Sequence, residues 1–147
     1  SARGVILFTL KGHSSSITAL VVTADGRRIF SGSEDTTVIC WDVERRCEQY
    51  VFDGHDESVG GVAITGDGKR LFSGSSDATV KMWDVELHAE EANLKGHSNW
   101  THALAITAQG DRIVSGSADF TVKVWDAVRN CEQFTLNGHS GTVYALA

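Results

Sequence analysis

An all-β fold built from repeats is what this sequence predicts, and three observations predict it. Gly-His recurs at Gly12-His13, Gly54-His55, Gly96-His97 and Gly138-His139, each 42 residues after the last. Trp-Asp recurs with the same step at Trp41-Asp42, Trp83-Asp84 and Trp125-Asp126. Between these marks lie short β-branched apolar runs separated by turn residues, at the roughly 8–12-residue spacing of all-β repeats. Ser31-Gly32-Ser33, Ser73-Gly74-Ser75 and Ser115-Gly116-Ser117 keep the register, as do Asp35, Asp77 and Asp119. A helical amphipath has no need of fixed Gly, His, Asp and Trp at such a period. A stacked β unit does.

Within the first unit, Ile17 to Val22 reads as a strand ended by Ala24-Asp25-Gly26, where glycine supplies the positive φ that a tight turn needs. The second and third units place Asp67-Gly68 and Gln109-Gly110 there. Arg28 to Ser31 reads as the second strand, the Glu34-Asp35 turn follows, and Thr37 to Trp41 reads as the third. Cys47 to Phe52 is the fourth, ended by Asp53-Gly54. The complete units run over 12–53, 54–95 and 96–137. Gly4 to Lys11 aligns with Arg46 to Asp53, which predicts a lone outer strand over 4–11. Residues 138–147 begin a fourth unit, which predicts a lone inner strand at the other end.

On these residues the chain resembles the WD-repeat β-propellers, whose ~40–45-residue unit runs from Gly-His to Trp-Asp. The resemblance covers roughly residues 4 to 147 and implies three complete four-stranded blades of a partial propeller. It also implies that four repeated side chains form a hydrogen-bonded set inside each blade. These sets are His13, Ser31, Asp35 and Trp41; His55, Ser73, Asp77 and Trp83; and His97, Ser115, Asp119 and Trp125. Spacing leaves Ser31 and Ser33 open as the hydroxyl; Ser31, with Ser73 and Ser115, is the expectation. A hydrolase triad or a histidine metal site could be imagined in these residues, but an active site occurs once and this set occurs three times.

Composition narrows the function. With 41% hydrophobic and 22% charged residues the chain is ordinary globular protein. Its lack of proline excludes PxxP ligands. Thirteen basic against nineteen acidic residues give a net charge of -6, which opposes binding to nucleic acid or to an anionic membrane surface. No apolar stretch approaches the ~20 residues needed to span a bilayer. Cys40, Cys47 and Cys131 are odd in number and lack CxxC spacing, which fits reduced thiols in an intracellular, cytoplasmic setting. Cys47 and Cys131 occupy equivalent positions and are expected to be small packed side chains. The sequence carries no non-repeated nucleophile–base pair and no Gly-rich phosphate loop. A non-catalytic interaction scaffold is therefore expected, with no cofactor and no metal; an architectural subunit with no free ligand is the alternative.

Partner contacts have to come from what is not repeated. The resemblance directs attention to the residues just after Gly-His and to the one before the turn Asp. These are Ser14, Ser16 and Glu34 in the first unit, Asp56, Ser58 and Ser76 in the second, and Ser98, Trp100 and Ala118 in the third. Ser140 and Thr142 follow in the last fragment. Trp100 stands where the other units carry Ser16, Ser58 and Thr142, and reads either as an interface anchor or as a filler beside Thr101. His102, in place of Thr18 and Gly60, goes with it. Gly60-Gly61 marks a bulge or a close backbone approach. Glu34, Asp56 and Glu57 give this face an acidic rim, which favours a basic peptide or protein segment. Three and a half units do not close a ring, so the remaining blades are expected from a longer parent chain or, next, from a second copy.

Overall fold

Each repeat folds into its own four-stranded antiparallel meander, because each short apolar run is followed by a turn that reverses the chain. The computed structural model describes residues 4–147. The first blade holds β1 (Ile17–Val22), β2 (Arg28–Ser33), β3 (Val38–Asp42) and β4 (Cys47–Phe52). The second holds β5 (Val59–Ile64), β6 (Arg70–Ser75), β7 (Thr79–Asp84) and β8 (Ala89–Lys95). The third holds β9 (Thr101–Ile106), β10 (Arg112–Ser117), β11 (Val122–Asp126) and β12 (Cys131–Leu136). Strand order within each sheet follows the chain, no helix occurs among the described residues, and the three sheets remain open.

The turns explain the repeats. Gly26, Gly68 and Gly110 have φ of 69°, 70° and 72°, the left-handed region where a Cβ is penalised. In the first blade Asp25 accepts hydrogen bonds from the Arg27 backbone N–H (2.9 Å) and the Thr23 hydroxyl (2.6 Å). In the third, where Gln109 replaces the aspartate, Asp111 accepts from Thr107 instead. At the next turn Asp35 Oδ1 accepts from both the backbone N–H and the hydroxyl of Thr37 (3.0 and 2.6 Å). The same pair of bonds recurs at Asp77 and Asp119.

Neighbouring blades meet face to face through their apolar residues. Phe30, Val38, Cys40 and Phe52 of the first blade pack against Val59, Leu71, Trp83 and Val85 of the second. Phe72, Val80, Met82 and Leu94 of the second pack against Ile113, Trp125 and Ala127 of the third. Fully burying one such side chain contributes about 1.5–3 kcal/mol, so these two seams are a large source of stability. Gly32 lies against Val59, Gly74 against Thr101 and Gly116 against Val143, one small residue per seam admitting the next inner strand.

Three expectations are corrected. Residues 4–11 form no strand, although they follow the path of an outer strand: Arg46 lies over the Phe8 ring at 5.2 Å, and Gly12 abuts the Trp41 indole. A strand is defined by its ladder, and among the described residues no strand pairs with this segment. Residues 138–147 likewise form no strand; Val143 packs over Gly116 and donates its N–H to the Ser117 carbonyl at 3.0 Å, but no second strand pairs with it. Cys47 and Cys131 are exposed rather than packed, since each begins an outermost strand on the rim. Cys40, on a central strand, is the buried thiol, and burial pushes it up to about 11.

Candidate functional site

The four repeated polar side chains meet in every blade. His13 Nδ1 lies 2.7 Å from Asp35 Oδ2, His13 Nε2 2.7 Å from Ser31 Oγ, and the Trp41 indole N–H donates to Ser31 Oγ at 2.7 Å. The second blade repeats this as His55–Asp77 (2.8 Å), His55–Ser73 (2.8 Å) and Trp83–Ser73 (2.8 Å). In the third, His97–Asp119, His97–Ser115 and Trp125–Ser115 are all 2.7 Å. The carboxylate can only accept, so Nδ1 carries the proton and Nε2 accepts from the serine hydroxyl, whose oxygen accepts from the indole. The polar side-chain atoms of each four-residue set are thereby paired with one another.

Local structure aims these groups. Each tryptophan follows a register shift between the third and fourth strands, at Cys40/Trp41, Met82/Trp83 and Val124/Trp125. A bulge of this kind re-aims a side chain. The second serine of each Ser-Gly-Ser serves elsewhere: Ser33, Ser75 and Ser117 accept from the turn aspartate's N–H and donate to the Ser16, Glu57 and Asn99 carbonyls.

Burial pushes the Asp35 carboxyl up, but hydrogen bonds from Thr37, His13 and the Ser14 backbone outweigh it and hold the group down at about 2. Asp77 and Asp119 are lowered by the same opposition. Burial lowers His55 and His97, although their aspartates pull them back up. In the second and third blades this favours a neutral imidazole between an ionised carboxylate and a hydroxyl. The serines resemble triad nucleophiles in connectivity but are 0–1% exposed and engaged by the indole.

The non-repeated side chains gather elsewhere, at the inner ends of the blades. Glu34, Ser58, Trp100 and His102 line one groove of about 500 Å³, together with Glu57 and Tyr144. Trp100 is 52% exposed and meets the His102 ring edge-on at 6.0 Å, and His102 in turn faces Tyr144 at 5.1 Å. Thr101 itself fills the seam position held by Val59 in the second blade; its hydroxyl is the one buried side-chain polar atom without a partner among the described residues. A methyl added at Gly60 would come within 2.6 Å of the Thr101 carbonyl oxygen, so glycine here permits β9 to approach β5.

The remaining candidates lie apart from the groove. The backbone N–H groups of Ser14, Asp56 and Ser98 bond the set's aspartates (3.0, 3.2 and 3.0 Å), and Asp56 lines a separate cleft with Lys81 and Lys95. Ser16 contributes its carbonyl, which accepts from the Glu34 N–H at 3.0 Å. Sequence reasoning missed Tyr144. It is the 42-residue counterpart of His102, so the period marks it.

Comparison with known proteins agrees with the geometry. The family model described as "WD domain, G-beta repeat" matches residues 4–42, 46–84 and 89–126. Each match opens on the outer-strand path and closes at Trp-Asp, one strand out of phase with the blades. The chain is similar to the nuclear distribution protein PAC1 of Coccidioides posadasii, 40% identical over 47 residues, covering 32% of this chain and 10% of that protein. It is also similar to the vegetative incompatibility protein HET-E-1 of Podospora anserina, 50% identical over 34 residues, covering 23% and 2%. Two solved structures, of U3-55K and of the RRP9 WD40 repeats, each superpose with a TM-score of 0.89 at 35% identity, covering 92% of this chain and 43% of theirs. The chain thus spans a tenth or less of these curated relatives and less than half of these solved chains. Three family matches at the 42-residue step, together with three four-stranded blades, make the conclusion plain: this chain belongs to the WD40 repeat family.

Proposed function

We propose that this chain is a non-catalytic docking scaffold that receives a protein or peptide partner on the inner-end loop face around Trp100. WD40 repeat proteins generally act as interaction scaffolds and are generally non-enzymatic, and the reading applies that role to a defined surface here. The observation that carries it is the groove. The repeated polar residues are spent inside the blades, while the side chains that break the repeat converge on one exposed surface. Trp is enriched among the few residues that dominate interface energy. The four-residue sets serve as internal braces, and the partner is expected to be a basic segment. An intracellular setting fits three free thiols.

A second reading is favoured by one observation. The outer faces of the first and third blades are open, with Ile17, Leu20 and Val22 on one and Phe134 and Leu136 on the other all 47–64% exposed. Their counterparts inside the molecule form the seams. Further blades, from a longer parent chain or from a second copy, would cover them, and the chain would then be architectural. A pull-down with Trp100→Ala and Glu34→Lys separates the readings. Loss of the same partner proteins from both variants, with unchanged thermal melts, is the expected outcome; unchanged partners would favour the architectural role.

A further inference from the structure

We propose that the inner-end groove is a subsite for one cationic side chain, an arginine of the protein partner, seated on the aromatic faces and paired with carboxylates. The inference rests on the docking role above and names the chemistry of its occupant. Position 18 of the first blade and its 42-residue counterparts, Gly60, His102 and Tyr144, fall side by side along the groove. Two of them are aromatic, and Trp100 extends the row. Opposite stand Glu34 and Glu57, both exposed. Glu34 is oriented by the Ser15 hydroxyl, which donates to its Oε2 at 3.1 Å, and that leaves its other oxygen uncommitted. Among the described residues no lysine or arginine lines the groove, so none of them neutralises either carboxylate from within.

Each part of a guanidinium finds a counterpart here. Its flat face stacks on an indole or phenol, and its edge donates to a carboxylate in a planar fork. Burial lowers His102, so at neutral pH its imidazole is uncharged and does not repel a cation. An acidic partner would meet two carboxylates with no cation to answer them. A purely apolar partner would bury those carboxylates unpaired, which opposes binding.

The test uses two short peptides of the same sequence, one with a central arginine and one with citrulline, which keeps the shape and loses the charge. Of four tryptophans only Trp100 is exposed; the others are 1–3% exposed, so one indole N–H signal, assigned with Trp100→Phe, reports the groove. The arginine peptide is expected to shift that signal and to bind about tenfold more tightly than the citrulline peptide, with affinity falling as salt rises. Glu34→Gln with Glu57→Gln should remove most of that preference while the thermal melt stays in place. Equal binding of the two peptides, or a preference that survives the double variant, overturns the proposal. The docking role is read separately: if Trp100→Ala abolishes capture of partner proteins while the arginine preference is absent, the scaffold stands and the cation subsite falls.

Discussion

The first and second blades have nearly the same sequence pattern and different surroundings. Val59 is fully buried in the seam, while its counterpart Ile17 is 52% exposed. Yet the polar sets hardly differ: the side chains of His13 and His55 are 3% and 1% exposed, and those of Asp35 and Asp77 are both 9%. The contrast separates two kinds of cohesion. The imidazole–hydroxyl–carboxylate–indole chain closes within a blade, with the Gly12 segment shielding Trp41, and needs no neighbour. The apolar faces are complete only when another blade stands against them.

Charging the seam is the severest way to break this contrast. Val59→Asp should cost about 3–5 kcal/mol, because an unpaired carboxylate would be buried there. Ile17→Asp, at the equivalent position, should stay within about 0.5 kcal/mol. Denaturant unfolding of both variants measures the difference; equal losses would mean that the outer face of the first blade is covered in solution.

A smaller effect sharpens the other half. His55→Ala should cost about 1–3 kcal/mol by leaving Asp77 and Ser73 short of a partner. His13→Ala should cost about the same, since the set is internal to its blade. A much smaller loss at His13, seen by calorimetry, would show that the set needs a neighbouring blade after all.

The gentlest perturbation is acid. Burial sets the folded-state values of His55 and His97 below their ordinary 6.5, so the folded chain binds fewer protons than the unfolded one. Their contribution is complete above about 6.5 and declines as pH falls. The aspartates act lower: Asp35 falls from 3.8 to about 2, and its contribution is lost between those values. Melting temperature should hold from pH 8 to about pH 7, decline gradually below that, and drop more steeply below about pH 4. Stability that rose on acidification from pH 7 to 5 would contradict a neutral buried imidazole.

Much of this was legible in the chain. The strands over Ile17–Val22 and Cys47–Phe52 fall where the apolar runs placed them, while the second strand runs on from Ser31 to Ser33. That extension arises because Ser33 still pairs with Ile17 across a bulge, a contact between strands that no local run announces. The lone terminal strands failed for a related reason: sequence supplies the propensity of residues 4–11 and 138–147, but only a neighbouring strand supplies a ladder. The exposure of Cys47 and Cys131 was equally hidden, because equivalence of position says nothing about which strand lies on the rim.

Period and turn chemistry belong to the sequence itself, because each depends on residues within one unit and on local backbone geometry, whereas spacing left open which serine joins each polar set. The gathering of Glu34, Glu57, Trp100, His102 and Tyr144 around one groove belongs to tertiary structure. Those residues span more than 100 positions of the chain and come from different repeats. Only the stacking of one blade on the next, through seams that admit a single glycine-sized approach, fixes how near they stand.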